Sequence, residues 1–414
     1  MTQNKLEKYA RLLVKTGINI QKGQTLVINS PIETAEFARM IAEHAYDVGA
    51  REVVMRWSDE LSTKMKYLHA DDEVFDEFPD WAKEFSLSYS RKGAAFLSIS
   101  ASDPELMKDV DPNRMARQQK VASSALKEYR ERMMSNKNTW CIASVPTAAW
   151  AKKVFPDVSE DEAVERLWDA IFKAIRVDKE NPVAAWEEHK RNLKNSMEFL
   201  NNHNLKSLQF RNDLGTDLEV ELPEGYLFVG GSEFTPKDSE FPETEFIANM
   251  PTEEVFSMPK KTGVNGIVYS SKPLNYRGTL IDQFSLTFKN GEVVDYSAEI
   301  GYESLKSLIE TDEGSRYLGE VALVPYDSPI SKSGVLFYNT LYDENASCHL
   351  AIGKAYPVCI KGGENMTSEE LEQHGVNESI THVDFMFGTK DLQITGVTHD
   401  GEEIVIFKDG NFAY

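Results

Sequence analysis

The first half of the chain alternates short apolar runs with longer segments in which apolar residues recur at helical spacing. Phe37, Ile41 and Ala45, for example, fall on one face of a helix that is predicted to end near Gly49. Alternating strands and helices favour a mostly parallel sheet with covering helices, so this half is predicted to be an α/β domain. The apolar runs predict strands at Thr25–Ser30, Arg51–Trp57, Ala94–Ser100 and Thr139–Val145.

The pattern changes after two amphipathic helices, which are predicted near Glu160–Val177 and Pro182–Asn201. The chain then shows short runs of alternating apolar and polar residues separated by turn signals. Two of these runs flank the dipeptide Asn290-Gly291, which strongly favours a two-residue hairpin turn. The second half is therefore predicted to be an α+β domain rich in antiparallel strands.

The length of the chain supports two domains. Its 414 residues are too many for one ordinary hydrophobic core, and an apolar fraction of 41% is sufficient to build two. We therefore predict an N-terminal α/β domain over residues 1–190 and a C-terminal, antiparallel-strand-rich domain over residues 191–414.

Charge and cysteine content narrow the function classes. A formal net charge of −22 disfavours nucleic acid and anionic membranes as partners. The three cysteines lack Cys-x-x-Cys spacing, so neither a disulfide framework nor a thiolate metal site is expected. The N-terminal segment lacks the apolar core of a signal peptide, and no apolar run is long enough to span a bilayer. A cytoplasmic location is the expectation.

Carboxylates that could perform chemistry occur in two segments of the second half. Glu253 and Glu254 are adjacent, so they point to opposite sides if the segment is extended, and only one can face a given site. Glu320 stands at the start of the apolar run Val321–Val324. A carboxylate at a strand end is usually solvated, so each of these signals is weak by itself.

Histidines occur in two further segments. The segment Glu344–Ala355 is predicted to be a helix on which His349, Gly353 and Tyr356 follow one stripe, with the glycine leaving space between the imidazole and the phenol. In the predicted strand NESITHVDFMFG, His382 and Asp384 share a face because side chains alternate along a strand. Taken alone, such a pair is explained by a buried hydrogen bond.

The combined set of side chains suits metal chemistry better than any member does alone. Two histidines and three carboxylates are the donors that a pair of divalent ions needs, and such ligands suit Zn²⁺, Co²⁺ or Mn²⁺. Two ions that share a carboxylate activate a water for hydrolysis. The spacing of the ligands along the sequence does not distinguish among peptides, phosphate esters and amides as substrates. A non-catalytic binding protein, with these side chains in structural hydrogen bonds, is the alternative from another class.

Four segments of the second half resemble, in order and spacing, the motifs of the thermophilic-type metallo-aminopeptidase family, the group of aminopeptidase T, aminopeptidase S and PepS. These segments are NMPTEEVF, TDEGSRYLGEVALVP, LYDENASCHLAIGKAY and NESITHVDFM. The resemblance also reaches GQTLVINSPIETAEFARMIAEHAYDVGA near the N terminus, so it covers essentially the whole chain. Among the members of the family, these segments resemble in particular those of PepS-like members of low-GC Gram-positive bacteria.

The resemblance implies an aminopeptidase that acts on peptides as a homodimer, with two divalent ions (Zn, Co, Mn or Mg) in the C-terminal domain. Tyr356 matches the catalytic tyrosine of the family and would donate a hydrogen bond to the oxyanion of the tetrahedral intermediate. Glu253 or Glu320 would pass a proton to the leaving amine. Glu253 is also the less favoured alternative to Glu254 as a ligand. The implied metal ligands are Glu254, Glu320, His349, His382 and Asp384.

The main alternative within enzymes is a phosphoesterase. Phosphate groups usually require arginine or lysine, and the ligand motifs contain few basic residues nearby. A peptide substrate is therefore favoured.

Overall fold

The chain is described from a computed structural model that covers residues 3–101, 103, 105–276 and 279–414. It forms two compact units, of which the first comprises Met1–Glu188 with Ser232–Pro251 and the second His189–Gly231 with Thr252–Tyr414. The domain ranges 1–190 and 191–414 stay a prediction. They differ from the two units mainly in Ser232–Pro251, which belongs to the first unit.

The first unit is built on a parallel sheet of four strands. These are β1 Thr25–Pro31, β2 Glu52–Ser58, β3 Ala95–Ser100 and β4 Trp140–Ser144. Their order is β2-β1-β3-β4, and every neighbouring pair runs parallel, which confirms the predicted α/β fold. Leu26, Val27 and Ile28 are fully buried, as expected for a strand that is covered on both faces.

Helices accompany this sheet in sequence. They are α1 Gln3–Leu12, α2 Ala35–Asp47, α3 Glu60–His69, α4 Asp80–Arg91, α5 Pro112–Ala125, α6 Lys127–Met134, α7 Ala148–Val154, α8 Glu160–Ala174 and α9 Pro182–Asn202. Helix α8 begins after Ser159, whose side chain accepts a hydrogen bond from the N–H of Glu162. The boundary between the units falls within α9. Within the described ranges, none of the helices has both the length and the apolar character needed to cross a membrane.

Ser232–Pro251 contributes a short antiparallel pair to the first unit. Its strands are β7 Glu233–Phe234 and β8 Glu245–Phe246. Nothing in the alternation of polarity predicted that this segment leaves the second unit.

The second unit contains a large antiparallel sheet. Its strands are β5 Leu205–Arg211, β6 Asp217–Glu221, β10 Val264–Tyr269, β11 Leu274–Tyr276, β12 Thr279–Lys289, β13 Glu292–Ile300, β17 Gln393–Thr398, β18 Glu403–Lys408 and β19 Asn411–Phe412. Their order is β11-β12-β10-β6-β5-β17-β18-β19, with β13 paired to β12. Asn290 and Gly291 have φ angles of 52° and 84° between β12 and β13, which confirms the predicted hairpin.

A second antiparallel sheet, here named the small sheet, completes this unit. It consists of β9 Val255–Ser257, β14 Leu318–Leu323, β15 His349–Gly353 and β16 His382–Met386, in the order β16-β15-β14-β9. Its apolar face shares one hydrophobic core with the large sheet, and the rings of Phe210 and Phe387 meet edge to face at 5.3 Å. Short helices connect the strands: α10 Tyr302–Ile309, α11 Pro329–Ser333, α12 Thr340–Asp343 and α13 Ser368–Gln373.

The predicted helix over Glu344–Ala355 is wrong. Glu344–Ala346 forms a single 3₁₀ turn, and His349–Gly353 is β15, a central strand of the small sheet. All five residues of β15 are buried, so the strand lacks the alternation of polarity that distinguishes a half-buried strand from a helix. Gly353 leaves no open space either, because a Cβ there would lie 2.1 Å from the carbonyl oxygen of Thr381.

Candidate metal centre

One face of the small sheet carries the candidate ligands, while the other face belongs to the core of the second unit. On β16, Phe385 is a member of the core and Val383 packs against it, so His382 and Asp384 project from the opposite face. This confirms the shared face that was predicted for the pair. Ile380, two residues before the strand, is 84% exposed and belongs to neither face.

The first group of potential ligands surrounds His349 on β15. Its Nε2 atom lies 3.1 Å from Oε2 of Glu254, which precedes β9, and 3.3 Å from Oε1 of Glu320 on β14. One ligand atom from each of these three residues lies within 4.8 Å of the other two. The three atoms are therefore close enough together to surround one ion.

The second group shares Glu320 with the first. Nε2 of His382 lies 3.6 Å from Oε2 of Glu320 and 3.4 Å from Oδ1 of Asp384. Glu320 thus presents one carboxylate oxygen to each histidine, which is the position of a bridging carboxylate between two ions. The structure brings together all five side chains that the motifs indicated as ligands.

Small residues on the central strand leave room for this arrangement. Ala351 on β15 pairs with Glu320 of β14 on one side and with Asp384 of β16 on the other. Paired side chains on neighbouring antiparallel strands have Cβ atoms about 4.5–5.5 Å apart. A larger side chain at Ala351 would therefore occupy the space between these two carboxylates.

Backbone carbonyls fix the orientation of both imidazoles. Nδ1 of His349 lies 3.1 Å from the carbonyl oxygen of Ser347, and Nδ1 of His382 lies 2.7 Å from that of Lys354. A carbonyl oxygen only accepts, so each Nδ1 carries the proton. In the neutral form of each ring, the lone pair of Nε2 then points toward the carboxylates, as in histidines that bind metals.

The donor set requires positive charge between its members. The buried Oε2 of Glu254 and Oδ1 of Asp384 have no hydrogen-bond partner among the described residues. Burying such oxygens is unfavourable unless positive charge, from a bound ion or from a proton on Nε2, satisfies them. Carboxylate and imidazole donors without a thiolate suit Zn²⁺, Co²⁺ or Mn²⁺, so the residues present fit the divalent ions that the motifs imply.

The electrostatics of the cluster agree with this requirement. Burial raises the pKa of Glu320 to about 7, and the nearby carboxylates Asp384 and Glu254 add to this rise. Burial opposes the charged form of His382, but Asp384 and Glu320 outweigh it and raise the pKa of His382 to about 9. Both directions mean that the cluster favours the binding of a positive charge.

Glu253 points away from this cluster. Its Oε2 lies 3.7 Å from Nε2 of His189, and its backbone N–H donates to Oδ1 of Asn345 at 2.7 Å. It is a member of neither potential ligand group, whereas Glu254 belongs to the first. The two adjacent carboxylates thus diverge, as expected for an extended segment.

Tyr356 lies beside the second group. Its ring is 4.7 Å from the ring of His382 and meets Phe256 edge to face at 6.4 Å. Burial, together with the negative charges of Glu320 and Asp384, raises the pKa of Tyr356 well above its ordinary value. The phenol therefore stays protonated at neutral pH and is available as a hydrogen-bond donor.

The sequence reasoning missed Glu344. This residue starts the 3₁₀ turn Glu344–Ala346, and burial together with the charges of Glu254 and Asp384 raises its pKa well above the ordinary value. Its position in the same motif as His349 was a signal that could have found it. The predicted helix concealed that signal, because residues five positions apart on a helix, such as Glu344 and His349, point in different directions.

Comparison with known proteins agrees with the geometry. A family model described as thermophilic metalloprotease (M29) matches residues 2–412. Aminopeptidase 2 of Geobacillus stearothermophilus is 50% identical over 412 residues, which cover 100% of this chain and 98% of that protein. Aminopeptidase AmpS of Bacillus subtilis (strain 168) is 49% identical over 410 residues, which cover 99% of this chain and 98% of that protein.

A solved structure is similar over its full length as well. The wild-type AmpT from Thermus thermophilus superposes with a TM-score of 0.92 at 38% sequence identity, and 100% of each chain is covered. The match over nearly all residues and the high identity to the relatives confirm the family that the four motifs indicated. The chain belongs to the family of thermophilic metalloproteases.

Proposed function

We propose that this protein is a metal-dependent aminopeptidase that hydrolyses the N-terminal residue from peptides with two divalent ions. The proposed ligands are Glu254 and His349 for one ion and His382 and Asp384 for the other, with Glu320 shared between them. The observation that carries this proposal is the position of Glu320, whose two oxygens face one histidine each. The names of the relatives, which are aminopeptidases, support the choice of substrate.

The chain's own residues would hold and orient the reacting groups. When bound, the ions would activate a water and polarise the scissile carbonyl. Tyr356 remains protonated and lies beside His382, so it can donate a hydrogen bond to the oxyanion that develops in the transition state. Two carboxylates are expected to move the proton to the leaving amine, but Glu320 would bind an ion with each of its oxygens and Glu253 lies outside the cluster, so this role stays a prediction for both.

The cavity beside Asp384 supports a peptide over a phosphate ester. Leu274, Leu336 and Met386 provide apolar wall, and Asp343 and Glu344 add carboxylates. A phosphate group would be repelled by this acidic wall, whereas a peptide with a positively charged N terminus would be attracted.

The finer features of the enzyme are also part of the proposal. Zn²⁺ or Co²⁺ suits the histidine-containing donor set best. The cysteines Cys141, Cys348 and Cys359 are buried and form no disulfide, which supports a reducing, cytoplasmic compartment. Assembly as a homodimer is proposed from the family resemblance.

Chelation tests the function directly. Extensive treatment with a chelator should abolish hydrolysis of leucine p-nitroanilide, and Zn²⁺ or Co²⁺ should restore it with about two equivalents of bound metal per chain. The N-acetylated substrate and p-nitrophenyl phosphate should not be cleaved. Full activity without metal, or a preference for the phosphate ester, would contradict the proposal.

A further inference from the structure

A cavity of about 110 Å³ opens next to the candidate metal centre, entirely within the second unit. Asp384 contributes to its wall, so one potential metal ligand borders the cavity directly. Leu274, Leu336 and Met386 form an apolar part of the wall. Beside Asp384, two further carboxylates, Asp343 and Glu344, line the same space.

The carboxylate of Asp343 already forms hydrogen bonds within the fold. Its Oδ1 accepts the backbone N–H of Phe337 at 2.7 Å, and its Oδ2 accepts that of Asn339 at 2.9 Å. Lys272 adds a favourable positive charge nearby. A carboxylate with two backbone donors and a neighbouring cation has little need for a ligand.

Glu344 differs from its neighbour in this respect. Among the described residues, the hydrogen bond to its carboxylate is a long one, in which Nδ2 of Asn345 donates to Oε1 at 3.5 Å. The same Nδ2 also donates to the carbonyl oxygen of Leu341 at 3.1 Å. Glu344 belongs to neither group of potential metal ligands. Of the three carboxylates in the cavity wall, Asp384 is a potential metal ligand and Asp343 accepts two backbone N–H groups. In the part of the chain that the structure describes, Glu344 has neither kind of partner for its charge.

We propose that Glu344 binds the α-ammonium group of the peptide N terminus and that the apolar wall of the cavity receives the side chain of the N-terminal residue. This inference rests on the proposed aminopeptidase function. It makes Glu344 a determinant of exopeptidase specificity, because a peptide bond in the interior of a chain presents no ammonium group there.

The local field supports this role. Glu254 and Asp384 lie near enough for their charges, with burial, to raise the pKa of Glu344. A cavity that disfavours another negative charge favours an incoming cation for the same reason.

Calorimetric titration of the metal-loaded protein tests the inference without relying on turnover. Leucinol carries the ammonium group, and isohexanol has the same carbon skeleton without it. Glu344→Gln should weaken leucinol binding about tenfold to a hundredfold, as expected for a charge-assisted hydrogen bond, and leave isohexanol binding unchanged. Glu369→Gln makes the same chemical change at an exposed position on α13, outside the cavity, and is the matched control, which should keep the preference of the wild type for leucinol.

The outcomes separate this inference from the proposed function. Unchanged leucinol affinity in Glu344→Gln, or equal loss for both compounds, would overturn the role of Glu344. A loss of bound metal in Glu344→Gln would also overturn it, because Glu344 would then be a ligand. Glu344→Asp, which keeps the charge, should retain part of the preference if the first variant folds poorly. If the wild type cleaves no peptide but prefers leucinol, the proposed function fails while the ammonium site stands.

Discussion

His349 and Glu254 approach each other to 3.1 Å, although one lies on the central strand of the small sheet and the other lies before its edge strand β9. The same Nε2 atom of His349 is 3.3 Å from Glu320. The imidazole of His349 on β15 is thus approached by Glu320 from the adjacent strand β14 and by Glu254 from the residue before β9. This arrangement distinguishes Glu254 from its neighbour Glu253, which lies against His189 instead.

The contrast between these neighbours gives the first prediction. Glu254→Gln should reduce affinity for Zn²⁺ at least about tenfold, because it removes a charged donor from the group around His349. Glu253→Gln makes the same chemical change one residue earlier and should leave metal content at the wild-type level. Metal analysis after dialysis at fixed free Zn²⁺ measures both. Loss of metal from the Glu253 variant alone would reverse the assignment.

Tyr356→Phe provides a second prediction, which separates catalysis from metal binding. The variant removes only the hydroxyl of the phenol, whose ring lies 4.7 Å from that of His382, so the turnover number should fall about 10²–10³-fold while metal content stays normal. Tyr269→Phe, at a partly exposed position on β10, is the control and should have wild-type turnover. If Tyr356→Phe loses metal instead, the hydroxyl supports the ligands rather than the transition state.

The sequence could predict the parts of the site that lie on a strand with one face in the core and the other toward the ligands. His382 and Asp384 alternate with Val383 and Phe385, so polarity alone revealed their common face. The family resemblance then linked this pair to Glu254 and Glu320, which lie far away along the chain. The comparisons confirm that family and the α/β and antiparallel architecture.

The sequence could not predict β15, because burial on both faces erases the period of a strand. Cys348 illustrates the problem: its thiol contacts the backbone of Val324 on the core side, while His349 beside it faces the carboxylates, and both are buried. A run that is apolar throughout has no period that separates helix from strand. Glu344 was missed for the same reason, since only the 3₁₀ turn before β15 brings it to the cavity.

The pH dependence of stability offers a third prediction, at Asp343. Burial raises the pKa of Asp343 to about 6 in the folded protein, against roughly 3.9 in an unfolded chain. A raised folded pKa means that the contribution of Asp343 to stability is complete below about pH 4 and is lost as the pH rises through 6. The expected loss is no more than about 3 kcal/mol.

Melting temperatures of the wild type and of Asp343→Asn measure this effect. The difference between the two proteins should shift in favour of the variant as the pH rises from about 4 to 6, and it should be constant above that range. Titrations elsewhere in the molecule are common to both proteins and cancel. A difference that does not change with pH would show that the carboxylate titrates in the folded protein as it does in the unfolded chain.

Gly353, at the end of β15, leads to the fourth prediction. Its φ angle is 109°, and a Cβ there would lie 2.1 Å from the carbonyl oxygen of Thr381. That oxygen accepts the N–H of Lys354 at 2.7 Å, so it cannot retreat without losing the hydrogen bond. Gly353→Ala should therefore lower the free energy of unfolding by about 2–5 kcal/mol, through backbone strain together with the collision.

The same substitution should also weaken metal binding, because Gly353 pairs directly with His382 in the sheet. Separating β15 from β16 would move the imidazole away from Glu320. Gly334→Ala is a matched control: Gly334 has a φ angle of 64°, and a Cβ there would meet nothing within 4 Å. It carries only the cost of a left-handed conformation, about 1 kcal/mol, and should keep full affinity for Zn²⁺. Equal effects of the two substitutions on stability and metal affinity would mean that the approach of Thr381 to Gly353 does not position His382.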